Sequence, residues 1–559
     1  MFIIKRLKKI DRKIILNFIL VLSICIGSIL RFYNLNWDDN QIYNPDDRKV
    51  AIMIASINIP DKLEPVYQTY NGLFIYLNRG ICQILNYITQ NNAWINSLDY
   101  ISIVDRMTSA FVSVVSIYLI YYIAKQFLKK EYAVLTAVFA TFCVGFIQQA
   151  HFGVTESFLV FELLFIVILA LKVLKNNNFI NWFWLGVVSG LSIGTKTSAL
   201  IFLLIPYFSW LILLRKKKDK QTFYNGIYFI IITCTYFFLS SPYSILKWND
   251  FKSAMNFESG VISGTVQVPW TIQFKNTTSL FFQLNNLIWW IGPIIPFFSF
   301  IGIIIVFYQV LLKKQSKNIL PILLFTMIYF IYITTWHAKF IRYVIVILPF
   351  LLLFFCWFLQ IIEKKIRKFK KLFLIFIFIT IVISILSSFS FVTIYSKKNT
   401  QIEASEWIYE NVENESVLLN ELLDEPLPAY IENFENYKKT FKVIEFASYE
   451  PDDYEKIEIL AEKLSKVDYV ILSSQRFFEN IMRLENDFPY TSQYYKLLFN
   501  EKLGFIKVAQ FVSYPNIGPF VINDSASEET FQVFDHPTVF IFKNKERLEK
   551  SQILELLSD

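Results

Sequence analysis

Long apolar stretches separated by short polar loops run through residues 1–395. Many of these stretches approach the ~20 residues that an α-helix needs to cross the hydrocarbon core of a bilayer. The pattern predicts a multi-pass α-helical membrane protein with about eleven spans. The predicted spans are residues 14–33, 102–124, 132–151, 156–174, 182–195, 198–214, 223–243, 285–312, 318–336, 341–362 and 371–393.

The pattern changes after residue 395, where short apolar runs alternate with amphipathic stretches. Such alternation predicts a soluble α/β domain with a mainly parallel sheet. We therefore divide the chain into a membrane domain, residues 1–395, and a soluble domain, residues 396–559. The predicted strands are 415–420, 441–447, 468–473, 504–512 and 538–543, and the predicted helices are 402–412, 452–466, 475–485 and 545–557.

The basic clusters set the expected orientation in the cell membrane. Short loops rich in Lys and Arg stay in the cytoplasm, and the predicted spans alternate without conflict if every basic cluster is cytoplasmic. The N-terminus has a basic start and an apolar run but no small-residue cleavage site, so we interpret it as an uncleaved first span. This topology places the N-terminus in the cytoplasm, and the first outer loop, residues 34–100, and the soluble domain outside.

One apolar segment, residues 70–90, does not fit the alternation as a span. A crossing there would place the basic stretch 125–131 outside, and the segment carries Asn71, Asn78 and Arg79 among its apolar residues. We predict a helix that lies on the outer membrane surface within the first loop. A twelfth span is the alternative.

Composition supports the membrane assignment and excludes other classes. The chain is 55% hydrophobic, against roughly 45–50% in soluble domains. Residues 396–559 carry 17 Lys and Arg against 30 Asp and Glu, which leaves 37 and 16 in residues 1–395. The net charge of +8 therefore averages a basic membrane domain and an acidic soluble one, and it does not indicate nucleic-acid binding. All five cysteines precede the soluble domain, and none has metal-ligand spacing.

A set of ionisable residues collects on the predicted outer face. Asp46 and Asp47 follow the first span in the stretch NPDDR, and two adjacent carboxylates facing water suggest a polar active site at the bilayer edge. Ionisable groups near membrane depth are costly and tend to mark function. The others are His151 and Glu156 in HFGVTE, Lys196 in GTKTS, and His337, Lys339 and Arg342 in WHAKFIRY.

Each of these residues also has a structural interpretation. Asp46 and Asp47 could cap a helix that begins near Arg48, because Asp before a helix satisfies free amides. Glu156 could cap or begin a span, and His151 could be a hydrogen-bonded polar residue at the interface. Lys196 and Arg342 could extend to lipid head groups.

The motifs resemble those of a known family. The stretches RFYNL and NPDDRKVA resemble the opening of GT-C superfamily glycosyltransferases that use polyprenyl-phosphate sugars, in the branch of protein O-mannosyltransferases and lipid A aminoarabinose transferases. That branch places an acidic pair in its first outer loop, often as HPDE, where this chain has Asn44 and Asp47 for the His and Glu. AHFGVTESFLVF, GLSIGTKTSAL and RYVIVILPF also match, with Glu156 where the family commonly has Asp.

The resemblance implies a GT-C-like fold and an inverting transfer of a hexosyl or pentosyl group from a polyprenyl monophosphate. The acceptor would be a hydroxyl of a protein, lipid or glycan at the outer face of the membrane. Phosphate is a good leaving group, so no cofactor is required, although a divalent metal near the acidic pair is compatible with the chemistry.

Roles follow from residue type. Asp46, with Asp47 beside it, suits the general base, which contributes about 10²–10⁴ in rate. The cations Arg342 and Lys196 suit the departing phosphate. Glu156, His151 and His337 complete the predicted substrate-binding set.

A lipid or solute transporter, including a flippase, is the rival prediction. Multi-pass architecture with charges near membrane depth fits that class as well. Two features count against it: the sequence shows no internal repeat relating its halves, and the charged residues collect at one face rather than at the membrane midplane.

Overall fold

The computed structural model describes residues 2–311, 317–431 and 439–558. The chain divides into two compact units. The membrane unit comprises Met1–Leu35, Asn44–Ser259 and Thr278–Val392. The sheet unit comprises Asn36–Tyr43, Gly260–Thr277 and Thr393–Asp559, so it includes two segments from loops between the predicted spans.

Helices account for the regular structure of the membrane unit. They are α1 (Phe2–Phe32), α2 (Pro45–Ala55), α3 (Gly72–Thr89), α4 (Ala93–Asn96), α5 (Leu98–Ala124), α6 (Lys130–Thr141), α7 (Val144–Gln148), α8 (Glu156–Lys175), α9 (Phe179–Thr195), α10 (Leu204–Lys217), α11 (Lys220–Ser240), α12 (Tyr243–Leu246), α13 (Trp248–Ser263, which continues into the sheet unit), α14 (Ser279–Ile291), α15 (Ile294–Leu311), α16 (Leu320–Ile333), α17 (Leu348–Lys365) and α18 (Lys370–Val392). Short 3₁₀ helices at Thr197–Leu203 and Ile341–Ile347 precede α10 and α17.

Eight helices in the described part of the chain are long and apolar enough to cross a membrane. Seven of them coincide with predicted spans, and the shorter apolar helices Phe179–Thr195 and Lys317–Ile333 coincide with two more. The eighth, Ile294–Leu311, covers only the second part of predicted span 285–312, because α14 ends at Ile291 and the chain turns at Gly292, which has a φ of +75°, and Pro293 before α15 begins. The predicted class, a multi-pass helical membrane protein with a C-terminal sheet-containing domain, is confirmed. Helix α3 is not among the eight, and its place on the membrane surface stays a prediction.

Residues 132–151, predicted as one continuous span, form two helices instead. Helix α6 ends at Thr141 and α7 begins at Val144. Arg31 of α1 is fully buried and donates to the carbonyls of Ala140 at 2.9 Å and Thr141 at 3.2 Å. These donors satisfy carbonyls that a continuing helix would otherwise bond. The break depends on a residue about 110 positions away, so the local apolar pattern did not show it.

Seven strands, six α-helices and the short 3₁₀ helix Thr393–Ser396 make up the regular structure of the described C-terminal part of the sheet unit. The strands are β1 (Val417–Glu421), β2 (Lys442–Phe446), β3 (Tyr469–Leu472), β4 (Phe505–Phe511), β5 (Asn516–Ile517), β6 (Phe520–Val521) and β7 (Val539–Asn544). The helices are α19 (Thr400–Asn411), α20 (Tyr454–Lys466), α21 (Phe478–Arg483), α22 (Pro489–Phe499), α23 (Glu529–Val533) and α24 (Lys550–Ser558).

The five-stranded sheet is mixed, so the expectation of a mainly parallel sheet is wrong. Its order is β2-β1-β3-β7-β4, with β1 parallel to both β2 and β3, and β7 antiparallel to both β3 and β4. Parallel strands are usually joined by a crossover helix that packs on the sheet. The connection from β4 to β7 instead contains the β5–β6 hairpin, which pairs outside the five-stranded sheet, and the five-residue α23, and β7 runs back beside β4.

The central strands are buried on both faces, which explains their unbroken apolar runs. Side chains alternate between the faces of a strand. In β3, Tyr469 and Ile471 therefore pack with α19, while Val470 and Leu472 pack with α20, α21 and α22. In β1, Leu418 packs on the α19 side of the sheet, and Leu419 packs on the side of α20, α21 and α22.

A buried carboxyl at the end of β1 makes the stability of this unit depend on pH. Glu421 is only 5% exposed and accepts a hydrogen bond from the Tyr495 hydroxyl. Burial, together with the negative charge of nearby Asp424, raises the pKa of Glu421 to about 8 against the opposing hydrogen bonds. The protonated form is therefore the one that the folded unit favours.

We expect the sheet unit to lose stability as the pH rises toward 8. The folded-state pKa lies above the unfolded value of ~4.3, so the stabilisation is complete below that value and is lost as the pH rises through the folded pKa. Hydrogen exchange of the β1 and β3 amides in the full chain, from about pH 5 to 9, measures this loss of stability. Glu421→Gln should reduce the loss of stability between about pH 5 and 9, and the buried Glu529, whose pKa is also raised to about 8, should account for part of the remainder. Exposed Glu455→Gln should leave the profile unchanged. An equal slope in both variants would contradict the assignment.

Candidate functional site

The two acids of NPDDR lie in the first turn of α2. The side chain of Asn44 caps this helix by accepting from the amides of Asp46 and Asp47, at 3.0 and 3.4 Å, and Pro45 occupies the first helical position. Carboxylates are favourable at a helix N-terminus, where the helix dipole is positive. Consecutive helical residues point about 100° apart, so the two side chains reach different surroundings.

Asp46 points to a partly open cluster. It forms an ion pair with Arg342, whose side chain is 22% exposed while that of Asp46 is 27% exposed. The Tyr70 hydroxyl lies 3.4 Å from Asp46 Oδ1. Burial alone would raise the pKa of Asp46, but the cations Arg342, Lys196 and Lys49 outweigh it and hold that pKa below its ordinary value. Asp46 is therefore a carboxylate at neutral pH.

A second ion pair adjoins the first through Tyr70. Lys196, between α9 and the 3₁₀ helix Thr197–Leu203, donates to Glu156 Oε1 at 2.8 Å. Its ammonium also lies 5.2 Å from the centre of the Tyr70 ring, whose hydroxyl contacts Asp46. Burial raises the pKa of Tyr70, and the charge of Asp46 raises it further. Four charged residues that are far apart in the sequence thus surround one neutral phenol.

Asp47 points the other way and is fully buried. It accepts from Arg106 Nε at 2.8 Å and lies 3.3 Å from Ser102 Oγ. Arg106 also donates to the carbonyl of Leu35 at 2.8 Å. The expectation that both acids face water is therefore correct for Asp46 and wrong for Asp47. The buried pair fixes α2 against α5 and so holds the turn that presents Asp46.

Gly153 approaches this buried pair too closely to accept a side chain. A Cβ there would lie 2.4 Å from Asp47 Oδ1 and 2.8 Å from Asp105 Cβ. We expect Gly153→Ala to destabilise the membrane unit by about 1–3 kcal/mol through overpacking. Thermal unfolding in detergent micelles measures it. Gly80→Ala is the control, because a Cβ there meets nothing within 4 Å. Equal melting of both variants would contradict this packing.

Residues 101–239 match the sequence family described as dolichyl-phosphate-mannose-protein mannosyltransferase. That segment includes Arg106, Glu156 and Lys196. No curated protein matches the chain by sequence.

The chain is also similar to several solved structures. The archaeal oligosaccharyltransferase AglB of Archaeoglobus fulgidus, in complex with an inhibitory peptide and a dolichol-phosphate, is 14% identical with a TM-score of 0.55, over 86% of this chain and 72% of that one. The same organism's oligosaccharyltransferase in complex with Zn and sulfate is 16% identical with a TM-score of 0.51, over 85% and 71%. ArnT of Cupriavidus metallidurans, bound to undecaprenyl phosphate, is 11% identical with a TM-score of 0.47, over 93% and 97%.

The chain has the fold of a GT-C glycosyltransferase. The resemblance inferred from the sequence motifs is confirmed by the family match together with the shared fold. With eight apolar helices of spanning length, this GT-C fold belongs to a membrane protein.

The GT-C fold places the two predicted histidines in different settings. His151 is buried between α7 and α8, with its ring nitrogens 2.8 Å from the Ile147 carbonyl oxygen and 2.9 Å from that of Tyr33. These contacts give His151 a structural role in joining two backbone segments. His337 precedes the helix of Arg342; burial and the charge of Lys339 lower its pKa.

Several residues in or near the candidate site were not identified by the sequence analysis. Charge inside an apolar span was a usable signal for Asp105 and Arg106, which lie within the predicted span 102–124. The same signal applied to Glu162, which is buried in α8 and accepts from Thr195 Oγ1 at 2.8 Å. Tyr70 gave no signal, because an aromatic residue in an outer loop is common.

The carboxylates of the acidic pair do not meet as ligands of one ion. Asp46 pairs with Arg342 and Asp47 pairs with Arg106, so each already has a cationic partner. Across the described residues, His, Cys, Asp and Glu form no group of three or more that could hold a metal ion. The donor set of this GT-C fold therefore does not fit a metal at the acidic pair.

Proposed function

We propose that this protein is an inverting glycosyltransferase that moves a sugar from a polyprenyl monophosphate to an acceptor hydroxyl at the outer face of the membrane. The observation that carries the proposal is the ion pair of Asp46 and Arg342 beside the Lys196–Glu156 pair. A carboxylate and two cations in a partly open cluster supply both charges that this reaction needs. The dolichol-phosphate bound to the similar AglB structure supports a lipid phosphate as the donor.

Asp46 acts as the general base. It is ionised because the nearby cations lower its pKa, and it is open enough to meet a hydroxyl. A base held by Arg342 is weak, since basicity falls with pKa. When the donor phosphate binds Arg342, it competes for the guanidinium and so strengthens Asp46 at the moment the donor is in place.

Arg342 and Lys196 stabilise the departing phosphate. A guanidinium binds phosphate through two parallel N–H bonds, and in the described contacts Arg342 Nε has no hydrogen-bond partner. Lys196, whose ammonium lies 5.2 Å from the centre of the Tyr70 ring, adds a point charge. Attack opposite the phosphate inverts the anomeric carbon. Glu156 holds Lys196 in place, and Asp47 holds α2 through Arg106.

The test is sugar transfer by the full chain in proteoliposomes. Hexosyl and pentosyl groups, radiolabelled and carried on polyprenyl monophosphate, are offered with protein, lipid and glycan acceptors; nucleotide sugars are the comparison. Labelled product from the lipid donor alone, with inverted anomeric configuration, is the expected result. Labelled lipid that crosses the bilayer without any transfer would instead establish the rival flippase.

Protease protection in cells or in vesicles made from them tests the orientation. The proposal places the N-terminus in the cytoplasm and the sheet unit outside. In right-side-out cells or vesicles, added protease should therefore cleave the sheet unit while sparing an N-terminal tag. Protection of the sheet unit until the membrane is opened would reverse the topology.

A further inference from the structure

A small hairpin of the sheet unit exposes apolar side chains. Strands β5 and β6 pair outside the five-stranded sheet, and we call residues 512–522 the tip hairpin. Phe520 is 78% exposed and Val521 is 57% exposed, with Val512 and Ile522 at 36% each. The chain carries no charged residue between Lys507 and Asp524. Exposed apolar side chains grouped in one short segment are typical of surfaces that bind a membrane or another protein.

The tip hairpin is folded rather than loose. Ile517 pairs with Phe520 across a Gly518–Pro519 turn, and Gly518 has a φ of +54°. A positive φ at the first turn position is what a tight hairpin turn requires, and glycine supplies it without strain. The amide of Ile522 donates to the Pro515 carbonyl at 2.8 Å. The apolar side chains are therefore presented in a fixed arrangement.

The base of the tip hairpin is bound to the chain where the last span ends. Helix α18 ends at Val392, and the next residue, Thr393, donates from Oγ1 to Asn516 Oδ1 at 3.1 Å. The amide of Asn516 returns a bond to Thr393 Oγ1 at 3.2 Å, and Lys397 Nζ donates to the Tyr514 carbonyl at 3.2 Å. These bonds attach the tip hairpin to the residues directly after α18, which belongs to a run apolar enough to cross a membrane.

We propose that the tip hairpin inserts Phe520 and Val521 into the boundary between head groups and acyl chains of the bilayer that holds the protein. Apolar and aromatic side chains are favoured at that depth. Residues 396–559 carry 17 basic against 30 acidic residues, so electrostatic attraction to anionic head groups does not draw the sheet unit to the membrane. Because the tip is uncharged and apolar, it can bind lipid surfaces of any charge. This inference does not depend on the proposed function.

Spin labels can measure the depth of the tip hairpin in the full chain. The exposed Cys25 and Cys234 are replaced by Ser, and the buried Cys82, Cys143 and Cys356 are retained. A nitroxide is attached at Phe520→Cys, or at Tyr454→Cys as a control, because Tyr454 on α20 is 55% exposed. Both variants are reconstituted in phosphatidylcholine nanodiscs and probed with oxygen, which partitions into lipid, and with a water-soluble nickel chelate.

The label at 520 should have a severalfold higher ratio of oxygen to nickel collision rates than the label at 454. Val521→Cys provides a second position should Phe520→Cys fold poorly, and it should give the same result. Equal ratios at the tip and at 454 would place the hairpin in water and overturn the proposal. A tip label shielded from both reagents would show that protein, such as a second copy of the chain, covers it, which overturns the proposal as well.

Discussion

Asp46→Asn is expected to lower the turnover number for sugar transfer by about 10²–10⁴, the usual contribution of a general base. Asparagine keeps the size of the side chain and still satisfies the first turn of α2, but its amide cannot take a proton from the acceptor. Initial rates in proteoliposomes, normalised to inserted protein, measure the loss. Asp61→Asn is the control, because Asp61 is an exposed acid of the same loop.

Two further measurements distinguish the loss of a general base from damage to the site as the cause of a lower rate. The KM for the lipid donor should change far less than the turnover number, because Arg342 and Lys196 remain. The melting temperature should also stay near that of the wild type, since Asp46 is only partly buried. If Asp46→Asn transfers sugar at the rate of Asp61→Asn, the base lies elsewhere and the assignment of Asp46 fails.

Arg106→Leu is expected to destabilise the membrane unit by about 3–5 kcal/mol, the usual cost of removing one partner of a buried ion pair. The side chains of Arg106 and Asp47 are 1% and 0% exposed, and their atoms are 2.8 Å apart. Without the guanidinium, Asp47 is left buried beside Asp105 and without its cation. Unfolding of the purified chain in mixed micelles, by heat or by denaturing detergent, measures the change.

An exposed pair of the same unit provides the matched control. Lys129 and Glu363 are 54% and 39% exposed and 3.5 Å apart, so Lys129→Leu should cost about 0–1 kcal/mol. Asp47→Leu combined with Arg106→Leu should be less destabilising than Arg106→Leu alone, because the double variant buries no lone charge. If Arg106→Leu were as stable as Lys129→Leu, a structural role for the buried pair would be ruled out.

Local pattern was enough for the class of the protein and for most of its elements. Ten of the predicted spans have an apolar helix at the predicted place. The free energy of transferring a segment into hydrocarbon is the sum of contributions from neighbouring residues, so the local sequence is enough to predict it. The five long strands of the sheet unit were predicted for a related reason. Strands buried on both faces read as short unbroken apolar runs, such as YVIL in β3.

Charge and residue type also indicated the candidate site. Asp46, Glu156, Lys196 and Arg342 were singled out because ionisable groups near membrane depth are costly, and the structure brings them together around Tyr70. Their pairing was not visible in the sequence. Asp46 and Arg342 are 296 positions apart, and which cation meets which acid depends on how the helices pack.

By itself the sequence determined the membrane class, the location of most helices and strands, and the set of ionisable residues. Each of these depends on properties that add up over adjacent residues. Only the tertiary structure decided that Asp46 is open while Asp47 is buried, that Arg31 ends α6, and that β7 runs antiparallel. Each of these depends on a contact between residues far apart in the chain, where the orientation of one helix or the path of one connection selects the partner.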